Sequence, residues 1–221
     1  MILGSLLPEN VPVIQEYQRA FAEHGDSPAA VLVPKGRQHL RYDALTSHIK
    51  HDGFSVLDYG CGLGHLKAFL DERFGEYSYH GADIVPEFVD EVRKKYPDAQ
   101  VDLIRSHKDI TERVDHVVIS GAFNLVGGES ADSYLAKVKD ALTHLFKLCT
   151  MSLSVDFMTD QVDYMLPGAH HVNVEGIYQF VRDSLSRRLT IDQSYMPYEF
   201  AIVAFKDSSI VRPQNIYPQS N

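Results

Sequence analysis

The chain has 221 residues, 44% hydrophobic and 23% charged, an average globular composition that excludes a disordered or collagen-like polypeptide and suits one α/β domain. Its formal net charge is −9 with Lys and Arg scattered along the sequence, which disfavours a broad grip on a nucleic-acid backbone. The two cysteines, Cys61 and Cys149, are too few for a disulfide scaffold, no charged-then-apolar leader opens the sequence, and no apolar stretch approaches the roughly 20 residues that span a bilayer. A cytoplasmic location without a membrane segment is expected. Eleven His residues form no His-Glu-x-x-His, and no Cys-x-x-Cys occurs, so no metal site is expected.

In chain order, Val13, Tyr17, Ala20 and Phe21 recur at helical spacing over residues 11 to 24, and a second helix is predicted over 37 to 51 with Leu40, Leu45 and Ile49 inward. Residues 54 to 59 read as a strand ended by glycines, 64 to 74 as a helix, and 77 to 83 as a second strand. Pro86 opens a helix that Pro97 stops, completing a βαβ unit. Strands follow over 99 to 104, 114 to 120 and 148 to 155, with a helix over 133 to 146 between the last two. A helix over 174 to 189 precedes two short strands, 190 to 195 and 199 to 206, whose close spacing suits antiparallel pairing. Residues 207 to 221 are polar, carry Pro213 and Pro218, and read as a tail. The alternation predicts an α/β fold: a doubly wound, mostly parallel seven-stranded sheet with an antiparallel terminal strand and helices on both faces.

The strongest chemical signal is Asp58-Tyr59-Gly60-Cys61-Gly62-Leu63-Gly64. Three alternate glycines between a strand and a helix let the backbone approach a ligand at the helix N-terminus. A dinucleotide fingerprint would place a third glycine three residues past Gly62, where His65 stands, which disfavours a nicotinamide-dependent oxidoreductase. The pattern Asp58-x-Gly60-x-Gly62-x-Gly64 instead resembles the first motif of class I, Rossmann-like methyltransferases, with the likeness strongest over residues 54 to 155. The resemblance implies S-adenosylmethionine as cofactor, its amino acid part received by Asp58 and the glycine turn. Asp83 ends the second strand nineteen residues past Gly64, where a carboxylate can accept from both ribose hydroxyls, and Ile84 would lie beside the adenine. A helix-capping role is the plain alternative for Asp83.

The same resemblance brings Arg41 and Tyr42, on the helix before the first strand, to the cofactor carboxylate, which a guanidinium can bind bidentately; Arg37 is one turn away. Asp102, Ser106 and His107 follow the third strand, but no pattern among them selects an adenine partner. Ser120, Gly121 and Asn124, after the fourth strand, face the sulfonium and the acceptor, and Phe123 serves either the core or the cofactor. The absence of a Pro-Pro-aromatic element there weakens a nucleic-acid base as substrate. Residues 1 to 52 are read as helices capping the cofactor site, and 53 to 206 as the core with a substrate insertion at about 156 to 173. Within that insertion Tyr164, His170 and His171 lie among Asp156, Asp160 and Asp163, and they are the candidates for proton removal. Tyr195, Tyr198 and Glu199 are candidates for the acceptor pocket. The implied activity is O- or N-methylation of a small polar acceptor, with no nucleic-acid partner; an oxidoreductase or a methyltransferase-like protein without catalysis are the rivals. The sequence leaves the oligomeric state open.

Overall fold

Phe54–Tyr59 and Tyr77–Asp83 form strands β1 and β2 over the residues their patterns predict. They lie in a computed structural model that describes residues 7–33 and 37–206; the predicted tail at 207–221 falls outside the described residues. Before β1 come helices α1 (Val11–His24) and α2 (Gln38–Thr46). After it follow α3 (His65–Arg73), then β2, α4 (Pro86–Lys95), β3 (Gln100–Leu103) and β4 (Val114–Ile119). The remainder is α5 (Ala131–Leu148), β5 (Cys149–Thr159), β6 (His171–Val172), α6 (Val174–Phe180), β7 (Leu189–Asp192) and β8 (Glu199–Phe205).

The sheet order is β3-β2-β1-β4-β5-β8-β7. β1 to β5 run parallel, while β8 is antiparallel to both its neighbours, β5 and β7. This is the doubly wound seven-strand path expected, with one refinement: the antiparallel strand is last in sequence but second from the sheet edge. The eighth strand, β6, pairs with the last two residues of β5, too short for any two-residue periodicity to reveal.

Side chains of β1 alternate between two covered faces, as a buried parallel sheet requires. Phe54 and Val56 meet Leu45, Leu66 and Leu70 of α2 and α3 on one face. Leu57 and Tyr59 join Val138, Leu142 and Leu145 of α5 on the other. Each of these fully buried aliphatic side chains contributes about 1.5–3 kcal/mol. α4 begins at Pro86, whose missing N–H costs nothing in a first turn, and ends on Arg93, Lys94 and Lys95, which complement the negative end of the helix. Ser130 caps α5 by accepting from the Ser133 N–H.

Three expectations are corrected. β5 continues to Thr159, so Asp156 is a buried strand residue and the excursion from the sheet begins only at Asp160. The last long helix stops at Phe180 and closes with a wider π-helical turn at Val181–Leu185. Helix α2 ends at Thr46, and Leu40, expected inward, is 37% exposed.

Candidate active site

A cavity of about 1350 Å³ opens at the carboxyl ends of the parallel strands, where open α/β sheets bind ligands. Its floor is the turn after β1, at Gly60, Cys61, Gly62 and Leu63, flanked by Asp83 and Ile84 after β2 and by Ser120, Gly121 and Asn124 after β4. Gly60 and Gly62 have φ of +78° and +54°, backbone that L side chains adopt only under strain. A methyl group at Gly60 would collide with Ala122 Cβ, and one at Gly62 would sit 3.1 Å from Val31 Cγ1. The turn is therefore a cradle in which side chains are excluded by its own neighbours. Gly64 forms the N-cap of α3 in left-handed conformation and is not part of the lining.

Asp83 both lines the cavity and holds the cradle. Its Oδ2 accepts the Gly62 N–H at 2.8 Å and its Oδ1 the Val85 N–H at 2.9 Å. Burial pushes its pKa up to about 6, against the lowering effect of the bonds from Val85 and Gly62. Asp58 is placed differently from expectation. It shares the α2–α3 face with Val56, is 1% exposed, accepts from the Tyr79 hydroxyl at 2.7 Å, and lies beneath the turn, outside the lining. Desolvation raises its pKa to about 7, opposed by the Tyr79 bond.

Arg41 lines the cavity, but one edge of its fork is engaged within the protein. Nε and Nη2 donate to the two Glu199 oxygens at 3.0 and 2.7 Å, and Nε lies 3.2 Å from Asp156 Oδ2. Two buried acids thus occupy the Nε–Nη2 edge of the guanidinium, which leaves only its Nη1 side for the carboxylate grip expected of Arg41. Burial disfavours the Arg41 charge, yet Asp156 and Glu199 outweigh it and hold the pKa above the ordinary value. Nη1 remains beside Gly121, 3.0 Å from where a Cβ there would stand. Asp156 Oδ1 accepts the Gly121 N–H at 2.6 Å, tying the cluster to the loop after β4. Tyr42 lines the cavity while its ring packs 5.6 Å from Phe69.

Asn124 donates weakly to Asp156 at 3.5 Å, and its Oδ1 is buried without a partner. Ser120, Phe123 and Arg37 line the cavity, as do Ser106 and His107, whereas Asp102 bonds His80 Nε2 at 2.8 Å and does not. The candidate bases separate. His171 lines the cavity, yet its Nδ1 donates to the Thr159 carbonyl at 2.8 Å and its Nε2 accepts the Leu166 N–H at 3.1 Å. No ring nitrogen of His171 is free to take a proton. His170 is 2% exposed, packs edge-on against Tyr134, donates from Nδ1 to the Phe123 carbonyl at 3.2 Å, and is not in the lining. Burial lowers its pKa. Tyr164 lines the cavity at 67% exposure.

Sequence reasoning missed the aromatic wall made by α1 and α4. Tyr17 and Phe88 both line the cavity with ring centroids 5.7 Å apart; their helical spacing marks an inward face but not what it faces. The Arg41–Glu199 pair joins residues 158 apart in sequence, which local patterns cannot express.

Fold and cradle define the class: a Rossmann-like, class I methyltransferase, whose cofactor is S-adenosylmethionine. The family model described as a methyltransferase domain matches residues 56–144. A Mycobacterium tuberculosis (strain ATCC 25618 / H37Rv) protein bearing the name "Putative methyltransferase Rv1506c" is 27% identical over 160 residues, 71% of this chain and 96% of that protein. Among solved structures, magnesium protoporphyrin IX methyltransferase (ChlM) from Synechocystis PCC 6803 with bound SAM superposes with TM-score 0.64 at 15% identity, covering 92% of this chain and 99% of that one. The plantazolicin methyltransferase BpumL, in complex with a triazolic desmethylPZN analog and SAH, gives 0.64 at 13% identity, covering 90% and 99%. These likenesses concern the fold. With the motif and the domain match they identify the chain as an S-adenosylmethionine-dependent methyltransferase of class I.

Proposed function

We propose that this enzyme methylates an oxygen or nitrogen atom of a small molecule. The observation that carries the reading is the joint position of Asp83 and the Gly60 to Leu63 turn on one cavity, with Asp83 bonded to the turn through Gly62. S-adenosylmethionine, when bound, supplies a methyl group activated by a sulfonium. Asp83 accepts from the ribose hydroxyls and Ile84 flanks the adenine together with Tyr17 and Phe88. Gly60, Gly62, Ser120 and Asn124, which share the lining, receive the amino acid part. Arg41 Nη1 and the Tyr42 edge stand at the same end, with Asp58 and Gly64 holding the turn from below. Helices α1 and α2 cap the cavity, and Gln18 of α1 bonds Glu87 of α4 at 2.9 and 3.0 Å, joining the two helices outside the lining.

Methyl transfer is an in-line displacement, so alignment can supply most of the acceleration. Tyr164 stands at the acceptor end, and His170 and His171 support the loop rather than abstract a proton. A small acceptor is favoured over nucleic acid by the net charge of −9. No helix among the described residues is long and apolar enough to cross a membrane. Titration with S-adenosylhomocysteine and separately with NADH tests the proposal: only the former should raise the melting temperature. A rise with NADH alone would restore the oxidoreductase.

A further inference from the structure

The cavity exceeds what one ligand uses: about 1350 Å³ against roughly 300–1,000 Å³ for ordinary small-molecule sites. Past Asn124 its lining continues onto the end of β5, the loop that follows, and the entry to β8. Two of the polar groups there are engaged within the protein, while Gln161 and Tyr198 also line it. Glu199 gives both oxygens to Arg41, and His171 uses both ring nitrogens. Arg37 and Asp163, one charge of each sign, stand exposed at the rim. The rest of that lining is mainly apolar and aromatic, with Met158, Tyr164, Leu166, Met196 and Pro197.

Tyr164, Met165 and Leu166 are 67%, 55% and 52% exposed, the one run of consecutive exposed large hydrophobic residues among the described residues. They are not loosely held. The Leu166 N–H is bonded to His171, the Leu166 carbonyl accepts the Ala169 N–H at 3.1 Å, and Val126 N–H donates to the Gly168 carbonyl at 2.9 Å. A loop fixed by its backbone while presenting apolar side chains beside a cavity is organised to bury a ligand. Methionine sulfur and tyrosine rings make that surface suited to flat aromatic partners.

Resting on the methyltransferase reading, we propose that the acceptor is a neutral, largely apolar aromatic molecule methylated on a ring hydroxyl, held between this loop and the entry to β8. The proton chemistry agrees. An aliphatic alcohol needs a positioned base, which His171 cannot be; a phenol, with a pKa near 10 (about that of tyrosine), can lose its proton to water. The acceptor oxygen forms its bond to the methyl carbon as the sulfur–carbon bond breaks. The electron pair leaves with sulfur as a neutral thioether, and the phenolic proton ends on water.

The test uses 2-naphthol as the aromatic probe and glucose as the polar one, each titrated calorimetrically into protein loaded with S-adenosylhomocysteine. The expected result is saturable binding of 2-naphthol and none of glucose. Leu166→Asp, at an exposed position that the fold tolerates, should weaken 2-naphthol at least tenfold while S-adenosylhomocysteine affinity stays within twofold; Tyr164→Ala should act in the same direction. With S-adenosylmethionine present, 2-naphthol should gain one methyl group by mass. Absence of 2-naphthol binding, preference for glucose, or indifference to Leu166→Asp overturns the proposal. Failure of S-adenosylhomocysteine to bind the wild-type chain would instead remove the reading beneath it, and the proposal with it.

Discussion

The backbone N–H of Gly62 donates to Asp83 Oδ2 at 2.8 Å, so the turn after β1 is fastened to the carboxylate that ends β2. Asp83 therefore shapes the cradle and lines the cavity with the same group. Asp83→Ala should weaken S-adenosylhomocysteine binding by about 1.5–3 kcal/mol, the size of lost charge-assisted hydrogen bonds. Calorimetry on the folded variant is the check; unchanged affinity would reduce Asp83 to a structural tie.

Because the Asp83 pKa is raised to about 6 by burial, cofactor affinity should depend on pH in a stated direction. The ionised carboxylate is the form that accepts from ribose hydroxyls. Affinity should be full well above pH 6 and decline as pH falls through it, by up to tenfold per unit. Asp83→Asn should bind more weakly and lose this dependence, and a persistent slope near pH 6 in that variant would assign it to another group.

Gly60→Ala combines left-handed strain with a collision against Ala122 Cβ. We expect a loss of about 2–4 kcal/mol in urea unfolding. Adding Ala122→Gly removes the collision but not the strain, so the double variant should recover part of the loss. A strictly additive pair would mean the two residues do not meet.

Arg41→Met leaves Asp156 and Glu199 buried without their cation and should cost about 3–5 kcal/mol. Glu199→Gln, which keeps a hydrogen-bond acceptor for the guanidinium, should cost less. Urea denaturation of both would rank them, and equal losses would show that the charge on Glu199 matters as much as the guanidinium itself.

His48 Nε2 and His116 Nδ1 both contact Ser152 Oγ, at 2.7 and 2.8 Å, while the other nitrogen of each ring is buried without a partner. Burial, first among the causes, lowers both pKa values to about 4. The unfolded chain, with pKa near 6.5, takes up protons that the native state refuses. Their stabilisation is thus complete above about pH 6.5 and is lost as pH falls toward 4, by a few kcal/mol for the pair. His116→Phe should flatten unfolding free energy between pH 6.5 and 4.5; an unchanged slope would place the titration elsewhere.

What the sequence disclosed follows the range of the interactions. β1, the glycine turn and Asp83 were legible because strand, turn and acid are contiguous or one βαβ unit apart, and local backbone demands select their residues. The aromatic wall of Tyr17 and Phe88 was half legible: helical spacing gave the inward face without its neighbour. Asp156 was misjudged because β5 outlasts its apolar run, the buried carboxylate being stabilised by Arg41 more than a hundred residues earlier. His171 is a related case. Its loop position suggested freedom, whereas both ring nitrogens are engaged by backbone groups of Thr159 and Leu166 that only the folded loop supplies.

The place of β8 in the sheet also governs the order of assembly. Among the described residues β7 pairs with no strand other than β8, and β8 follows the other strands in sequence yet inserts between β5 and β7. A nascent chain that has not yet delivered Phe205 leaves one edge of β5 bare and β7 without a partner. Arg41 meanwhile faces Asp156 without Glu199. The open edge and the vacant side of the guanidinium are filled in one late event, so the end of the cavity whose wall includes Glu199 cannot be complete until β8 has docked.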